Sequence, residues 1–171
     1  MNLTTSQDFW TEMVEPDCDD YRKNIASLRR AFHSASSLFH LHDWVFHTDQ
    51  TIVTTFTYLD PRSQTTKPVK KPSHFANYLE QTYPDFGLIR GVVNAAKHLV
   101  LTTPSPVQNS PSNAANTQVQ STGYGVGPYG VGPYGGSPRV VIEGQPNNLD
   151  YLNVMNNVFN MWQSVKAMHG W

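Results

Sequence analysis

The chain has 171 residues and a formal net charge of -1, and only 15% of its residues are charged. This length suits one domain that can bury a core of its own. The near-neutral charge excludes a general electrostatic attraction to nucleic acid or to an anionic membrane surface.

The start of the chain, residues 1–16, is predicted to be weakly structured, although Phe9, Trp10 and Met13 are expected to dock on the body of the domain. It carries no basic region, and no later stretch reaches the ~18 apolar residues that span a bilayer. We therefore expect a cytoplasmic protein without membrane contact. Cys18 is the one cysteine. A lone cysteine excludes a disulfide framework, and its acidic neighbours disfavour the thiolate form.

A long amphipathic helix is predicted from Asp20 to His47, capped at Asp19 or Asp20. Apolar positions recur there at spacings of three and four, which is typical of a buried helix face. They are Ile25, Leu28, Phe32, Ala35, Leu38, Phe39, His42, Val45 and Phe46. Because His42 lies within this apolar row, it is predicted to be buried and hydrogen-bonded.

The middle of the chain predicts mixed structure. Thr51 to Leu59 favours a strand, and Pro61 to Pro72 favours a loop. Ser73 is expected to cap a short helix that ends at Pro84, and Asp85 to cap the next helix. The residues predicted to face inward from these two helices are Phe75, Tyr78, Leu79, Ile89, Val92, Val93, Ala96 and Val100.

The last part of the chain predicts a hairpin and a final helix. Leu99–Thr103 and Arg139–Glu143 are candidate paired strands. Residues 104–138 between them are predicted to form a flexible loop, because they are rich in polar residues, Gly and Pro and repeat Gly-Val-Gly-Pro-Tyr over 125–134. Asn147 or Asn148 is expected to cap the final helix. Its predicted buried face is Leu152, Met155, Val158, Phe159, Trp162 and Val165.

These elements predict one mainly α domain over residues 1–171. Its expected architecture is a bundle of three to four helices with a small β-hairpin and a long Gly/Pro/Tyr-rich loop over residues 104–138. No Gly-rich turn between a strand and a helix suggests a phosphate site, so we expect no cofactor.

A row of polar side chains stands on one side of the helix that follows Pro84: Arg90, Asn94, Lys97 and His98. Such a row suits attack on RNA, with His98 as the base and Arg90 or Lys97 stabilising negative charge. It suits equally a polar network that fixes helix packing, which is the favoured interpretation. Asp43 lies at the border of the long helix's buried stripe. If Asp43 is buried, Arg90 or Lys97 is its expected partner.

Three histidines, His33, His40 and His47, recur every seven residues on the long helix. Together with Asp43, His40 and His47 are weak candidates for a transition-metal site. A solvated or intersubunit polar stripe is the favoured interpretation, so no bound metal is predicted.

Two stretches together resemble a group of uncharacterised bacterial and phage-borne helical proteins. They are Leu-His-Asp-Trp-Val-Phe at 41–46 and Pro-Asp-Phe-Gly-Leu-Ile-Arg at 84–90, followed by Asn94 and the pair Lys97–His98. In that group an Asp-Trp helix precedes an Ile-Arg-x3-Asn-x2-Lys-His helix, a short hairpin and a C-terminal helix. Met161–Trp162 stands here where that last helix carries a Phe-Trp or similar pair. The resemblance covers roughly residues 20–165, with the Gly/Tyr-rich stretch as an insertion.

That group is similar in turn to HEPN-type helical domains, which include toxin RNases and non-catalytic relatives. Their catalytic motif places a His after an Arg at a shorter distance than the seven residues between Arg90 and His98. This departure from the motif favours a non-catalytic member. The resemblance also implies a homodimer that is formed through helices.

The sequence predicts a small intracellular interaction or regulatory domain that is dimeric and not an enzyme. One alternative is a metal-independent, HEPN-like RNase that uses the polar row of the helix after Pro84. Another is a phage or mobile-element accessory protein. We expect that a protein partner could bind residues 104–138, and RNA is a partner only under the RNase alternative.

Overall fold

The computed structural model describes residues 3–97, 107–121, 138–144 and 147–169, with side chains as far as Met168. Its α-helices are α1 (Ser6–Phe9), α2 (Glu15–Lys23), α3 (Leu28–Thr48), α4 (Gln50–Val53), α5 (Pro72–Thr82), α6 (Pro84–Lys97) and α7 (Tyr151–His169). Its strands are β1 (Thr57–Asp60), β2 (Thr65–Pro68), β3 (Thr117–Gln120), β4 (Arg139–Ile142) and β5 (Leu149–Asp150). The described chain is mainly α, as predicted, and α3 packs against α2, α5, α6 and α7.

The N-terminal segment is helical, so the prediction of weak structure there is wrong. Thr5 and Asp8 form a capping box, in which each side chain accepts a hydrogen bond from the backbone N–H of the other. Apolar side chains then follow at helical spacing and are buried under α3 and α7. These buried residues are Phe9, Trp10, Val14, Cys18 and Tyr21. Phe9 and Trp10 therefore dock as expected, whereas Met13 is 40% exposed.

A π-helical turn, Trp10–Val14, joins α1 to α2. Pro16 has no backbone N–H and would leave a gap in a regular α-helix. In the turn just before it, the N–H of Glu15 donates to the carbonyl of Trp10, five residues back. The wider turn lets the helix axis continue past the proline.

The long helix predicted from Asp20 to His47 is in fact two helices. α2 ends at Lys23, and Ser27 caps α3 by accepting the backbone N–H of Arg30. Neither Asp19 nor Asp20 is the cap. The connection is held from outside, because the backbone N–H of Val140 and the hydroxyl of Tyr21 both donate to the carbonyl of Ile25, at 2.9 and 3.0 Å. The apolar pattern crosses this break without interruption and so hid it.

Two aromatic side chains fix α7 on α3. The Tyr151 hydroxyl donates to the carbonyl of Ala31 at 2.8 Å and lies 2.9 Å from Ser34 Oγ. The Trp162 indole N–H donates to the carbonyl of Leu38 at 3.0 Å. Both side chains are fully buried. Since a buried donor without an acceptor is costly, these bonds favour one register of α7 along α3.

The segment after α3 differs from its prediction. Thr51 to Leu59 divides into α4 and β1 rather than forming one strand. The predicted loop, Pro61 to Pro72, contains β2, which pairs antiparallel with β1 and places Lys67 opposite Tyr58. Gln64 closes this hairpin in the left-handed region, with φ of 52°. An ion pair between Lys67 and Asp60 supports the turn.

Prolines begin both α5 and α6, which is a favoured place because the first helical N–H needs no partner. Ser73 is therefore not a cap, and Pro84 starts α6 rather than only ending α5. The predicted core positions are confirmed for Phe75, Leu79, Ile89, Val92 and Val93, while Tyr78 is half-buried. Ala96 is exposed near the helix end, against prediction. Val100 lies outside the described residues.

Two glycines one turn apart on α6, Gly87 and Gly91, allow a neighbouring segment to lie close to the helix. A Cβ on Gly87 would clash with Val107, and one on Gly91 would lie 2.7 Å from Pro111 Cδ. The glycines are thus required by the close approach of residues 107–111.

The second sheet has the strand order β3-β4-β5 and is antiparallel. Arg139–Glu143 is confirmed as a strand in its first four residues, but β4 pairs with β3 and β5. The partner predicted for it, Leu99–Thr103, lies outside the described residues. β3 lies inside residues 104–138, so that stretch is not loop throughout. The tandem repeat at 125–134 also lies outside the described residues.

The final helix agrees with its prediction except at its cap. Asp150 caps α7, because its carboxylate accepts the backbone N–H of Leu152 at 3.0 Å. Asn148 instead accepts the N–H of Gly144. The predicted buried face is confirmed for Met155, Val158, Phe159, Trp162 and Val165, and Leu152 is half-buried. Across the described ranges, no helix is both long and apolar enough to cross a bilayer.

The Tyr151→Phe substitution tests the attachment of α7. It removes the hydroxyl that bonds Ala31 and Ser34, so the free energy of unfolding should fall by about 1–2 kcal/mol. Denaturant titration measures this change. The matched control is Tyr83→Phe, since no hydrogen bond of the Tyr83 hydroxyl is found in the described chain. The control should change stability by less than about 0.5 kcal/mol. Equal effects of the two changes would contradict this role of Tyr151.

Candidate functional site

Arg90, the first residue of the predicted polar row, is paired with α5. Its Nη1 donates to Glu80 Oε2 at 2.7 Å and to Asn77 Oδ1 at 2.9 Å. The Glu80 side chain is only 6% exposed, and that of Arg90 is 27% exposed. A carboxylate removed from water to this extent requires a cation or several donors. The guanidinium of Arg90 therefore neutralises Glu80 and ties α6 to α5.

The predicted contact between Asp43 and Arg90 or Lys97 is wrong for the described part of the chain. Asp43 lies 3.5 Å from His40 Nδ1 and 3.5 Å from His42 Nε2, and no ion pair joins it to either base. Its side chain is 43% exposed, so it needs no buried cation. The acid that Arg90 does meet comes from α5, which lies beside α6 in the fold.

The remaining members of the row are not joined to Arg90 by hydrogen bonds in the described structure. Asn94 is half-buried and Lys97 is exposed near the end of α6. His98 lies outside the described residues. The geometry therefore assigns a packing role to Arg90, and the catalytic roles predicted for Asn94, Lys97 and His98 stay predictions.

His42 is buried and hydrogen-bonded, as predicted. It is 4% exposed, and its Nδ1–H donates to the carbonyl of Phe39. Its ring packs against Phe39 and Phe86, with ring centres 4.6 and 6.1 Å away. Burial lowers the pKa of His42, and the charge of Arg90 acts in the same direction. We infer that His42 is a neutral core residue at pH 7.

The histidine stripe on α3 does not form a metal site. His33 and His47 are exposed, and of the three histidines in the stripe only His40 forms a contact with Asp43. Among the residues that the structure describes, no three His, Cys, Asp or Glu side chains are grouped closely enough to hold a metal. The weak candidate set His40, Asp43 and His47 is therefore not brought together.

A groove of about 470 Å³ runs between the N-terminal helical segment and α3. We name it the α3 groove. The N-terminal side contributes Phe9, Met13 and Asp17, and α3 contributes His33, Ser36, Ser37, His40, Asp43 and Trp44. The rings of Phe9 and Trp44 stack at 5.0 Å between centres. The groove thus brings an aromatic pair and a thioether together with two carboxylates and two imidazoles.

This combination suits binding of a protein surface. A volume of several hundred Å³ holds a few side chains, and a groove between two helices is a common seat for a helix. The small side chains of Ser36 and Ser37 leave room for a partner on the α3 side. Sequence reasoning missed the groove because one of its walls lies in the segment predicted to be weakly structured. The four-residue spacing of Phe9, Met13 and Asp17 was the available signal.

Cys18 faces the core rather than the groove. It is fully buried, and this burial raises the pKa of its thiol to about 12. The nearby charge of Arg22 opposes the shift, and those of Asp17 and Asp19 add to it. This burial supports the expectation that Cys18 is a poor nucleophile, and burial contributes more to the raised pKa than the acidic neighbours do.

Comparison of this chain with protein-family models, with curated proteins and with solved structures gives no match. The resemblance to HEPN-type domains therefore rests on sequence motifs alone. Function has to be argued from the Arg90 pair and the α3 groove.

Removing the Arg90 charge should destabilise the fold. In Arg90→Ala, Glu80 stays buried without this guanidinium, and the free energy of unfolding should fall by about 3 kcal/mol. This value is at the lower end of the range for breaking a buried ion pair, because the Arg90 side chain is itself 27% exposed. Lys97→Ala is the control on the same helix, with an expected change below about 0.5 kcal/mol. Denaturant midpoints measure both, and an Arg90→Ala chain as stable as the control would refute the packing role.

The Cys18 thiol should not react in the folded chain. Its raised pKa and its burial leave almost no accessible thiolate at pH 8. Reaction with a disulfide-exchange reagent should therefore be at least about 100-fold slower in buffer than in denaturant. Fast reaction in buffer would show that the packing of α2 against α3 is wrong.

Proposed function

We propose that this chain is a non-catalytic helical interaction domain that binds a partner protein in the α3 groove. In this proposal α3, α5, α6 and α7 form the helical bundle, for which the sequence predicted three to four helices. A cytoplasmic setting belongs to the proposal and is supported by the sequence only.

The Arg90–Glu80 pair supports the proposal that this domain is not catalytic. A catalytic cation has to face the position where negative charge develops on the substrate. Arg90 instead donates to a carboxylate that is itself nearly buried, at 2.7 Å. Nothing in the described chain therefore favours the RNase alternative, which still depends on Asn94, Lys97 and His98.

The residues that line the α3 groove support the proposal that a partner protein binds there. Phe9 and Trp44 form an aromatic wall, and Met13 is 40% exposed beside them. Aromatic residues and methionine are enriched where protein partners dock. Asp17 and Asp43 add charge that can select a partner with complementary groups.

Three further expectations stay part of this proposal. The homodimer is supported by the motif resemblance and by the groove. Contact of a protein partner with residues 104–138 rests on their composition alone. The reading as a phage or mobile-element accessory protein rests on the resemblance.

A photo-cross-linking amino acid placed at position 36 tests the proposal. Ser36 lines the α3 groove, so irradiation of cells that produce the chain should give a discrete cross-linked protein adduct. The matched control is the same group at Val119, which is 45% exposed on β3 and outside the groove. Adduct at position 36 no stronger than at position 119 would refute binding in the groove.

A purified chain should also leave structured RNA intact. Cleavage that disappears in His98→Ala, with an unchanged melting temperature, would establish the RNase alternative instead. This assay separates the two functions without knowledge of the partner.

A further inference from the structure

We propose that the partner in the α3 groove is a second copy of this chain, with the two α3 helices antiparallel about a two-fold axis beside Ser36. The inference rests on the proposed interaction role and identifies its partner. It is drawn from the spacing, exposure and charge of one side of α3.

The side of α3 that borders the groove carries a continuous row. Its members follow at alternating spacings of four and three: Arg29, His33, Ser36, His40, Asp43 and His47. This alternation keeps the row on one side of the helix, so the row can face a second helix along its length. Arg29, His33 and His47 are exposed, and the other three are half-buried. The row is therefore accessible along the whole of α3.

The charges in this row are arranged symmetrically about Ser36. Arg29 and Asp43 each lie seven residues from Ser36, on opposite sides of it. That separation is about 10 Å along the helix at 1.5 Å per residue. If two copies of α3 run antiparallel with Ser36 facing Ser36, Arg29 of each copy meets Asp43 of the other. A two-fold interface therefore makes the same ion pair twice.

Both charged groups are available for this contact. No hydrogen bond or ion pair of Arg29 is found within the described ranges, whereas its neighbour Arg30 donates to the carbonyl of Asp20 at 3.0 Å. Asp43 has only the two 3.5 Å contacts with His40 and His42, and its side chain is 43% exposed. In the monomer, Arg29 and Asp43 can therefore each form a further ion pair, and they lie at equal distances from Ser36 along α3.

Charge favours the antiparallel arrangement over the parallel one, and packing permits it. Ser36 has a small side chain, so two helices can approach closely at the axis. Met13 and Trp44 line the groove beside the row and supply apolar surface to the interface. A parallel pair would instead place Arg29 against Arg29 and Asp43 against Asp43, which like-charge repulsion disfavours.

Charge reversal with rescue tests the pairing. Arg29→Asp and Asp43→Arg should each weaken the dimer about tenfold, because each places like charges together at two sites. The double variant R29D/D43R restores both pairs, and its dimer dissociation constant should return to within about threefold of the original. Sedimentation equilibrium at low ionic strength measures all three. The control Arg62→Asp, in the β1–β2 turn, makes the same charge change and should have no effect.

A disulfide tests the position of the axis. Ser36→Cys should give a disulfide-linked dimer under mild oxidation, since the two introduced thiols would face each other. Val119→Cys is the control and should stay monomeric on a non-reducing gel. Cys18 is buried in both variants and should not contribute. Circular dichroism of each variant establishes that it is folded before the result is read.

The outcomes separate this inference from the proposed function. A chain that stays monomeric at 100 μM, or a double variant without rescue, would overturn the second-copy interface. If the cross-linker at position 36 then captured a different protein, binding in the groove would stand with another partner. If position 36 gave neither self-adduct nor other adduct, both proposals would fail.

Discussion

The ion pair between Glu80 and Arg90 joins α5 to α6, and it decides whether Arg90 has a packing role or a catalytic one. Glu80 is almost completely withdrawn from water, so its charge has to be balanced inside the protein. Arg90 does this from the next helix, and Asn77 holds the same guanidinium from the preceding turn of α5. This contact joins α5 to α6. It also engages the one arginine that a catalytic interpretation would need.

The second organising feature is the division of α3 into two functional sides. Its buried side receives α7, through hydrogen bonds from Tyr151 and Trp162 to backbone carbonyls. Its other side borders the α3 groove and carries the charged and histidine-rich row. Because the buried side is fixed at two points, the exposed row is presented on a rigid helix. Rigid presentation reduces the ordering cost of binding.

The sequence was informative where periodicity decides structure. The buried positions of α6 and α7 follow apolar spacing, and the burial of His42 followed from its place in an apolar row. Local pattern could not show the break between α2 and α3, which depends on hydrogen bonds from Val140 and Tyr21. It could not show that β4 pairs with β3, because strand pairing is a non-local choice. The capping box of Thr5 and Asp8 was visible in the sequence, and reading it would have predicted the N-terminal helix.

The site was harder to predict than the fold. A polar row on one helix could be recognised, but the partner of Arg90 depends on which neighbouring helix lies closest. Glu80 and Asp43 were both acids on helices, and only the packing of α5 against α6 selects Glu80. The α3 groove needed the N-terminal wall as well, and the helical spacing of Phe9, Met13 and Asp17 was passed over because that segment was predicted to be weakly structured.

A double-mutant cycle measures how strongly the Glu80 and Arg90 side chains stabilise each other in the folded chain. The free energies of unfolding of Glu80→Gln, Arg90→Met and the double variant give the coupling energy of the pair. We expect a coupling energy of about 2 kcal/mol or more, as for groups in one buried network. A coupling below about 0.5 kcal/mol would show that Arg90 is not held by Glu80, and its charge would then be free for another role.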